Sequence, residues 1–406
     1  MSISETKNDR VTVAVEKLIY GGDALARVNG QVLLTRFALP GEEVTVEPVA
    51  GKGKVLRGHN VQVLSASEHR VQPGCEYFGQ CGGCQYQHAA YEYQVEQKVS
   101  ILKETLSRLG GISMDSEIAA LRAEPWGYRN RVQLHFERGE VGFRKAESHK
   151  LCPITHCPIS SPKLNEVISS FADAVKRPEW PAFLRGMDVF TDETQVQLHV
   201  TETTRPVASR FFSWCGEMIS GTVPDSLEYP VGAGRLRVSR GTFFQVNRFL
   251  IQALVDEVVE RYEGTGVLDL YAGAGLFSLA LLNRFQTVTA VERGTSAHRD
   301  LVFNGQRETD RLQTGQASTE EYLKELTAAP DLIVADPPRA GLGPEVTAEL
   351  LRIRAPKMVI VSCDPATLAR DLKVIATAYE IRRLTLIDLF PQTSHFEAVV
   401  HLEAKR

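Results

Sequence analysis

The sequence has few features that would assign its class at once: it lacks long apolar runs, excess positive charge and evenly paired cysteines. No uninterrupted apolar run approaches the ~18 to 20 residues of a membrane span, and the N-terminus, MSISETKNDR, lacks the apolar core of a secretion signal. The net charge of -4 excludes the strongly basic character of many nucleic-acid-binding proteins. We therefore expect a cytoplasmic protein with no membrane contact, in which local patches would hold any nucleic acid.

Seven cysteines, an odd number, are clustered rather than spread, which favours metal binding or catalysis in a reducing compartment over a disulfide framework. Cys75, Cys81 and Cys84 are separated by five and two residues, and Cys157 could supply a fourth thiolate. Cys152 is a rival for that position. Four thiolates suit zinc or an iron-sulfur cluster, and three clustered ligands with one remote ligand favour a [4Fe-4S] cluster.

The pattern of apolar residues changes along the chain. Residues 11–65 alternate apolar and polar positions between glycine turns, which predicts a small antiparallel barrel. Residues 120–235 indicate strands with one helix near 162–176. From about 240 onward, strands alternate with helices, which predicts a mostly parallel, doubly wound sheet. The expected fold is α/β, with a β-barrel over 1–66, an α+β middle domain over 67–240 and a Rossmann-like domain over 241–406.

Basic and aromatic residues are interleaved between Arg122 and Lys150. Two readings stay open for this stretch. Its cations could neutralise phosphates while aromatic rings stack on unpaired bases, or it could be a solvated face beside a sheet core. The aromatic residues are Trp126, Tyr128, Phe136 and Phe143.

A glycine-rich turn, DLYAGAGLF at 269–277, follows a predicted strand and opens a helix. Gly273 and Gly275 allow the backbone to approach a ligand at the carboxyl ends of the strands. Glu292 ends the next strand, where an acidic group commonly binds a ribose. Ser278 replaces the last glycine of the dinucleotide fingerprint, so a nucleoside without phosphates fits better, and S-adenosylmethionine is the common one. Asp336 ends a further strand and faces this site, or alternatively caps the following helix.

Cys363 in SCDP and Glu397 in FPQTSHFE each lie on a short loop after a predicted strand, downstream of the glycine turn. A thiol and a carboxylate in these places are a candidate nucleophile and base. The alternative is that Cys363 is a buried small hydrophobic residue, as most unmodified cysteines are. The neighbouring motifs favour the catalytic interpretation.

With these motifs, the chain resembles the RNA uracil-5-methyltransferase family, in particular its branch with a TRAM-type barrel and an iron-sulfur cluster that modifies 23S ribosomal RNA. The resemblance extends over almost the whole chain. It is carried by CEYFGQCGGCQYQH (75–88), YRNRVQL (128–134), HCPI (156–159), FFQVN (243–247), DLYAGAGLFSLAL (269–281), DPPRAG (336–341), SCDPATLARDL (362–372) and FPQTSHFE (390–397).

The resemblance implies a role for each motif. Cys363 is similar to the family's nucleophile, which adds to C6 of uracil, and Glu397 to the base that later removes the C5 proton. The implied contacts to S-adenosylmethionine are Gln245, Tyr271, Gly273, Gly275, Leu276, Glu292 and Asp336. The implied ligands of the [4Fe-4S] cluster are Cys75, Cys81, Cys84 and Cys157. Leu276 and Ala317 replace residues that are often polar in relatives, so contacts there would be through the backbone.

Three expectations complete this interpretation. The nucleophile needs a pKa below about 8.5, or a base nearby, to act as a thiolate. The target uridine must leave its base stack to reach the site. The partner is RNA, bound by a monomer: 23S ribosomal RNA is preferred, and the T-loop of transfer RNA is the alternative. A catalytically inert RNA-binding module and a radical enzyme are less favoured, because Cys363, Glu397 and a fourth cluster cysteine are present.

Overall fold

A computed structural model of the chain describes residues 10–49, 55–114 and 117–406. It divides into two compact units, each built from more than one stretch of chain. The first contains the described residues up to Leu102, with Arg144–Cys152 and Phe390–His395, and the second contains Lys103–Phe143, Pro153–Leu389 and Phe396–Arg406. Within the described part of the chain, no helix is both long enough and apolar enough to cross a membrane.

A closed five-stranded barrel opens the first unit, as the alternating pattern predicted, although Gln31–Arg36 and Leu56–Ser65 pair in parallel and the barrel is therefore not wholly antiparallel. Its strands are β1 (Val11–Leu18), β2 (Asp23–Val28), β3 (Gln31–Arg36), β4 (Glu43–Val49) and β5 (Leu56–Ser65). They close in the order β1-β2-β3-β5-β4. Val13, Val15 and Leu33 are among the buried side chains that fill the interior, because alternate residues of a strand face the same side.

After the barrel, an irregular loop carries the first three candidate cluster cysteines and leads into α1 (Tyr91–Thr105). This helix continues as one π-helical turn, Leu106–Gly110. Gly111 ends it with φ +66° and donates its N–H to the last carbonyls. The predicted helix and its glycine stop are therefore confirmed, since a left-handed residue at this position favours glycine.

A six-stranded, mainly antiparallel sheet and a hairpin form the middle of the chain. The sheet order is β12-β11-β10-β7-β8-β9. The elements are β7 (Arg131–Glu137), β8 (Glu140–Arg144), β9 (Leu151–Pro153), α2 (Pro162–Ala174), β10 (Leu184–Thr191), β11 (Val196–Thr203), α3 (Ser209–Met218), β12 (Thr222–Val223), β13 (Ser226–Val231) and β14 (Gly234–Ser239). The sequence predicted α2 but not α3, because the aromatic residues of SRFFSWCGEM are typical of strands.

The second unit also contains the predicted α/β sheet, with eight strands in the order β17-β16-β15-β18-β19-β21-β20-β6. Its elements are β6 (Ala119–Leu121), α4 (Ile251–Val259), β15 (Gly264–Leu270), α5 (Leu276–Leu281), β16 (Phe285–Val291), α6 (Thr295–Asn304), β17 (Leu312–Gly315), α7 (Thr319–Glu325), β18 (Leu332–Ala335), α8 (Gly343–Ile353), β19 (Lys357–Ser362), α9 (Pro365–Ile375), β20 (Tyr379–Ile387) and β21 (Glu397–Ala404). Strands β15 to β19 are parallel, and β21 is antiparallel to both neighbours. The addition of β6 beside β20 was not predicted.

Candidate active site

The predicted site residues of the α/β sheet follow the carboxyl ends of neighbouring parallel strands. Glu292 follows β16, the glycine turn follows β15, Asp336 follows β18 and Cys363 follows β19. In the sheet these strands are adjacent, in the order β16-β15-β18-β19. Because neighbouring strands lie about 4.8 Å apart, the glycine turn and Cys363 are roughly 10 Å apart across the sheet. The carboxyl edge of one sheet therefore brings the nucleotide-type turn and the thiol together.

The glycine turn is held by the carboxylate predicted to bind a ribose. Glu292 accepts the N–H of Gly273 through Oε2 at 2.9 Å, and the N–H of Gly294 through Oε1. Gly275 has φ +93°, and a Cβ there would lie 2.9 Å from Leu301 Cδ1. A Cβ on Gly273, by contrast, would meet no described atom within 4 Å. The turn therefore needs glycine for its conformation and leaves open space on one side.

Two other predicted contacts flank this turn. Tyr271 has φ +61°, a left-handed conformation that is uncommon outside glycine and is often found at functional sites. The side chain of Leu276 packs against a hydrophobic cluster that includes Phe190 and Tyr229. The apolar side chain at 276 thus belongs to the core, which agrees with the expectation that any ligand contact there is made by the backbone.

Two carboxyl groups beneath the turn have raised pKa values. Asp269 is fully buried in β15 and accepts a hydrogen bond from Ser278 Oγ. Burial raises the pKa of Asp269 to about 7. The pKa of Asp336 is also raised to about 7, first by burial of the carboxyl group and then by the neighbouring Asp269. The Asp336 residue as a whole is nevertheless partly exposed. Ser278, which replaces the last glycine of the dinucleotide fingerprint, therefore donates a hydrogen bond to a buried carboxyl group.

Gln245 is anchored by a residue of the YRNR motif. Asn130 Nδ2 donates to the carbonyl of Gln245 at 3.2 Å and to Tyr229 Oη at 2.9 Å. The N–H of Asn130 also donates to the carbonyl of Val246. Asn130 and Gln245 are both buried, at 0% and 5% exposure. Two motifs that are more than a hundred residues apart in the chain therefore form one rigid backbone element.

Cys363 and Glu397 lie at the same end of two antiparallel strands. Cys363 directly follows the last residue of β19, and Glu397 is the first residue of β21. Ser362 and Ala398 form the last pair of the β19–β21 ladder, and Cys363 and Glu397 are the residues next to that pair. The charge of Glu397 acts on the Cys363 thiol, so the two groups lie close together. The candidate nucleophile and base are thus neighbours.

The pKa values of this pair are raised, not lowered. Burial, followed by the charges of Glu397 and Asp336, raises the pKa of the Cys363 thiol to about 12. Burial, followed by Asp336, raises the pKa of Glu397 well above its usual range. Arg339 opposes both shifts. The residues of the site therefore favour the neutral thiol. The two conditions expected for a thiolate were a lowered pKa and a nearby base, and only the nearby base is present.

Three of the candidate cluster cysteines share one loop of the first unit. Cys75, Cys81 and Cys84 are all partly exposed, and the N–H of Gly83 donates to Cys81 Sγ at 3.4 Å. A Cβ on Gly82 would lie 3.2 Å from the carbonyl oxygen of Arg144, so the glycine lets the loop pack closely against that backbone. Three thiols in one closely packed loop, with a backbone N–H directed at one of the sulfur atoms, suit a site of thiolate ligands. The described side chains nevertheless contain no group of three or more His, Cys, Asp or Glu residues arranged to hold a metal ion.

The two candidates for the fourth ligand differ in exposure. Cys157 is partly exposed in the second unit, and Asn165 fixes its backbone by accepting its N–H at 2.8 Å and donating to its carbonyl at 3.1 Å. Cys152 is 2% exposed, and burial raises the pKa of its thiol. Because a ligating cysteine must ionise, Cys157 is the better donor.

Two of the aromatic residues considered for RNA stacking belong to the core instead. Tyr128 and Phe136 are 0% and 3% exposed. The ring of Phe136 packs against Phe171 and Trp180, with centroids 5.7 and 4.8 Å away. The stacking interpretation is therefore wrong for these two residues.

Sequence reasoning missed three residues that shape the site. Asn130, Asp269 and Arg339 each lie inside a motif that was quoted, yet none received a role. A polar residue inside a predicted buried strand, as Asp269 is, was an available signal, because such groups are costly to bury. The anchoring by Asn130 had no signal beyond its motif.

Comparison with known proteins agrees with this geometry. The sequence model of the tRNA (uracil-5-)-methyltransferase family matches residues 233–405, and that of the TRAM domain matches residues 5–61. The chain is 31% identical to the 23S rRNA (uracil(1939)-C(5))-methyltransferase RlmD of Halomonas elongata, over 97% of this chain and 89% of that protein. The chain belongs to the RNA uracil-5-methyltransferase family.

Two other similar proteins match nearly the whole chain. An uncharacterized RNA methyltransferase of Aquifex aeolicus is 32% identical over 98% of this chain and all of its own length. The crystal structure of Pyrococcus abyssi tRNA (uracil-54, C5)-methyltransferase, in complex with S-adenosyl-L-homocysteine, matches with a TM-score of 0.78 and 25% identity over 96% of this chain and 99% of that chain. The predicted barrel and Rossmann-like fold are confirmed, and the Rossmann-like part is that of a class I methyltransferase. The protein is an S-adenosylmethionine-dependent RNA (uracil-5-)-methyltransferase.

Proposed function

We propose that this methyltransferase modifies C5 of one uridine in 23S ribosomal RNA through a transient covalent bond between Cys363 and C6 of the base. The observation that carries the proposal is the position of Cys363 and Glu397 at one end of the β19–β21 ladder, on the sheet edge that also carries the glycine turn. Ribosomal RNA is preferred because the 31% identical relative bears that substrate in its name. Transfer RNA is the second candidate, because the 25% identical solved relative is named for it.

The chemistry follows from the weak nucleophilicity of uracil C5. Addition of the Cys363 thiolate to C6 pushes electrons onto C5, which then takes the methyl group. S-adenosylmethionine supplies that methyl group as an electrophile on a positively charged sulfonium. Glu397 then removes the proton that remains on C5, the C5–C6 double bond forms again, and the bond from sulfur to C6 breaks.

The raised pKa values indicate when the thiol ionises. After burial, the charges of Glu397 and Asp336 disfavour ionisation of Cys363, and the charge of Asp336 disfavours ionisation of Glu397, which raises the pKa of each. A positive charge within a few ångströms lowers the pKa of an acidic group. We propose that the residues of the site keep Cys363 as a neutral thiol, and that a bound cofactor would supply the positive charge that offsets this repulsion. The neutral state would protect the cysteine from reaction with solutes in the empty enzyme.

Seven residues are proposed to contact the cofactor. Glu292 holds the glycine turn and would accept ribose hydroxyls, while Gly273 and Gly275 allow close backbone approach. Gln245 and Asp336 would contact the polar end of the cofactor. Tyr271 would contribute its ring, and Leu276 its backbone.

We further propose that Cys75, Cys81, Cys84 and Cys157 hold a [4Fe-4S] cluster. The support is the shared loop of the first three, the N–H that Gly83 directs at Cys81 Sγ, and the exposure of Cys157 compared with Cys152. Binding of four thiolates would add folding free energy to a loop with little regular structure. Iron and acid-labile sulfide, measured after anaerobic purification, test this; protein that is folded and active without either would contradict it.

The substrate proposal is tested with labelled S-adenosylmethionine and separate pools of ribosomal and transfer RNA that lack methyluridine, followed by mapping of the labelled base. Label in 23S ribosomal RNA alone is expected. Label in transfer RNA alone would reject ribosomal RNA as the substrate but would leave the covalent mechanism standing. RNA that contains 5-fluorouridine should trap a covalent adduct, which Cys363→Ala abolishes and Cys215→Ala, a buried control, retains. Normal turnover by Cys363→Ala would reject the nucleophile.

The remaining expectations are part of the same proposal. We propose that the enzyme acts as a monomer, because every candidate residue for methyl transfer comes from one chain, and in the cytoplasm, where bacterial ribosomal RNA is modified. The three-domain division at 66 and 240 also stays a prediction. Light scattering at assay concentration tests the oligomeric state, and a dimeric mass would contradict the monomer.

A further inference from the structure

The carbonyl of Ala274 lies in the glycine turn, before the helix that follows it. Helix α5 begins at Leu276, and the Leu279 N–H donates to the Gly275 carbonyl at the start of the helix. Ala274 precedes that bond and lies between two glycines in left-handed conformations. In so permissive a stretch, a peptide group needs a partner from another element to have a fixed orientation.

Asn304, the last residue of α6, supplies that partner. Its Nδ2 donates to the Ala274 carbonyl at 2.9 Å. The same side chain pairs with the backbone of Arg237 in β14: Nδ2 donates to the carbonyl at 3.0 Å, and Oδ1 accepts the N–H at 2.8 Å. Three hydrogen bonds fix the rotamer of an amide side chain, so Asn304 is itself held in place.

The helix that carries Asn304 is docked on β14 and the segment after it by a second residue. Asp300, one helical turn earlier on the same face, is fully buried. It accepts the N–H of Ser239 at 2.7 Å and the hydroxyl of Thr242 at 2.9 Å. These bonds do not involve Ala274, so the docking of α6 and the hydrogen bond to the turn can be altered separately.

We propose that Asn304 is a positioning residue for S-adenosylmethionine: it fixes the Ala274 peptide so that the glycine turn presents its backbone, including that of Leu276, to the cofactor. The inference rests on the proposed cofactor contacts. Its support is the place of this peptide, which lies between the glycines that allow close approach, beside the open space that a Cβ on Gly273 would enter. A peptide group free to rotate in the empty site would have to be ordered on binding, and that ordering weakens affinity.

The test compares binding of S-adenosylhomocysteine with protein stability. For Asn304→Leu we expect a dissociation constant about 10-fold higher in calorimetry and a KM for S-adenosylmethionine raised as much, while the KM for RNA stays within about 2-fold. Gln306→Leu, which changes an exposed amide two residues further on, is the matched control. Binding is measured well below the thermal midpoint of each variant, so a loss of stability alone leaves the affinity unchanged.

Two further variants decide the matter if Asn304→Leu does not fold. Asn304→Asp keeps the acceptor for the Arg237 N–H but, at about pH 8 where the carboxyl group is ionised, has no donor for the Ala274 carbonyl; we expect the same loss of affinity. Asp300→Asn loosens the docking of α6 without touching Ala274, and we expect its affinity to remain near that of wild type. Wild-type affinity in Asn304→Asp, or an equal loss in Asp300→Asn, would overturn the positioning role.

Glu292→Ala separates this inference from the proposed function, because Glu292 also holds the turn and would bind the ribose. Weaker binding in Glu292→Ala beside normal binding in the Asn304 variants rejects the positioning role alone. Normal binding in Glu292→Ala would reject the proposed cofactor site, and the positioning role with it.

Discussion

Glu397→Gln is expected to lower the pKa of Cys363 and speed its alkylation. Cys363 and Glu397 both lie next to the last pair of the β19–β21 ladder, and after burial Glu397 is the foremost cause that raises the pKa of the thiol to about 12. Two unit charges about 5 Å apart interact by roughly 3 kcal/mol at an effective dielectric constant of ~20, or about two pKa units. This is an upper bound, because solvent screens a partly exposed thiol. The thiolate population should therefore rise by at most about 100-fold.

The measurement is the rate of iodoacetamide alkylation of Cys363 against pH, followed on the Cys363 peptide by mass spectrometry because other cysteines are partly exposed. Only an ionised Glu397 repels the thiolate, so the profiles of wild type and variant should converge at low pH and separate once Glu397 ionises. Glu403→Gln, an exposed change at the far end of the same strand, is the control. Superimposable profiles for wild type and Glu397→Gln would refute the juxtaposition of the two groups.

Three further outcomes follow from the site. Asp269, whose pKa is raised to about 7 from an ordinary 3.8, holds a proton in the folded state that the unfolded chain releases, so wild-type stability falls as pH rises between these values. In urea unfolding, the free energy of unfolding of Asp269→Asn relative to that of wild type should increase across this pH window, by at most about 4 kcal/mol. A difference that does not depend on pH would contradict the raised pKa. Asn130→Leu leaves the Gln245 carbonyl without its side-chain donor, and calorimetry should show about 10-fold weaker binding of S-adenosylhomocysteine; unchanged affinity would remove Gln245 from the cofactor site. Cys157→Ser should lose iron that Cys152→Ser retains, and the reverse would exchange the fourth ligand.

Local sequence signals predicted the architecture well because each depends on a short period or a single turn. Alternation over residues 11–65 predicted the barrel, and strands alternating with helices after residue 240 predicted the α/β sheet. The same local rules failed for α3, whose aromatic residues favour strands until the core packs Phe211 and Cys215 inward. They also failed for β6, a three-residue strand that pairs with β20 from more than two hundred residues away.

The sequence by itself determined which side chains can do the chemistry, because the motifs around Cys363, Glu397 and the glycine turn each combine a strand end with a reactive or permissive residue. Only the tertiary structure decided how they meet and what state they are in. The register of β19 against β21 brings thiol and carboxylate to the same end of the ladder, and burial then raises both pKa values, a direction no motif encodes. The pairing of Gln94 with Gln392, 298 residues apart, was equally beyond sequence reasoning. Long-range pairing and desolvation are properties of the packed chain as a whole, whereas propensity and spacing are properties of a few neighbouring residues.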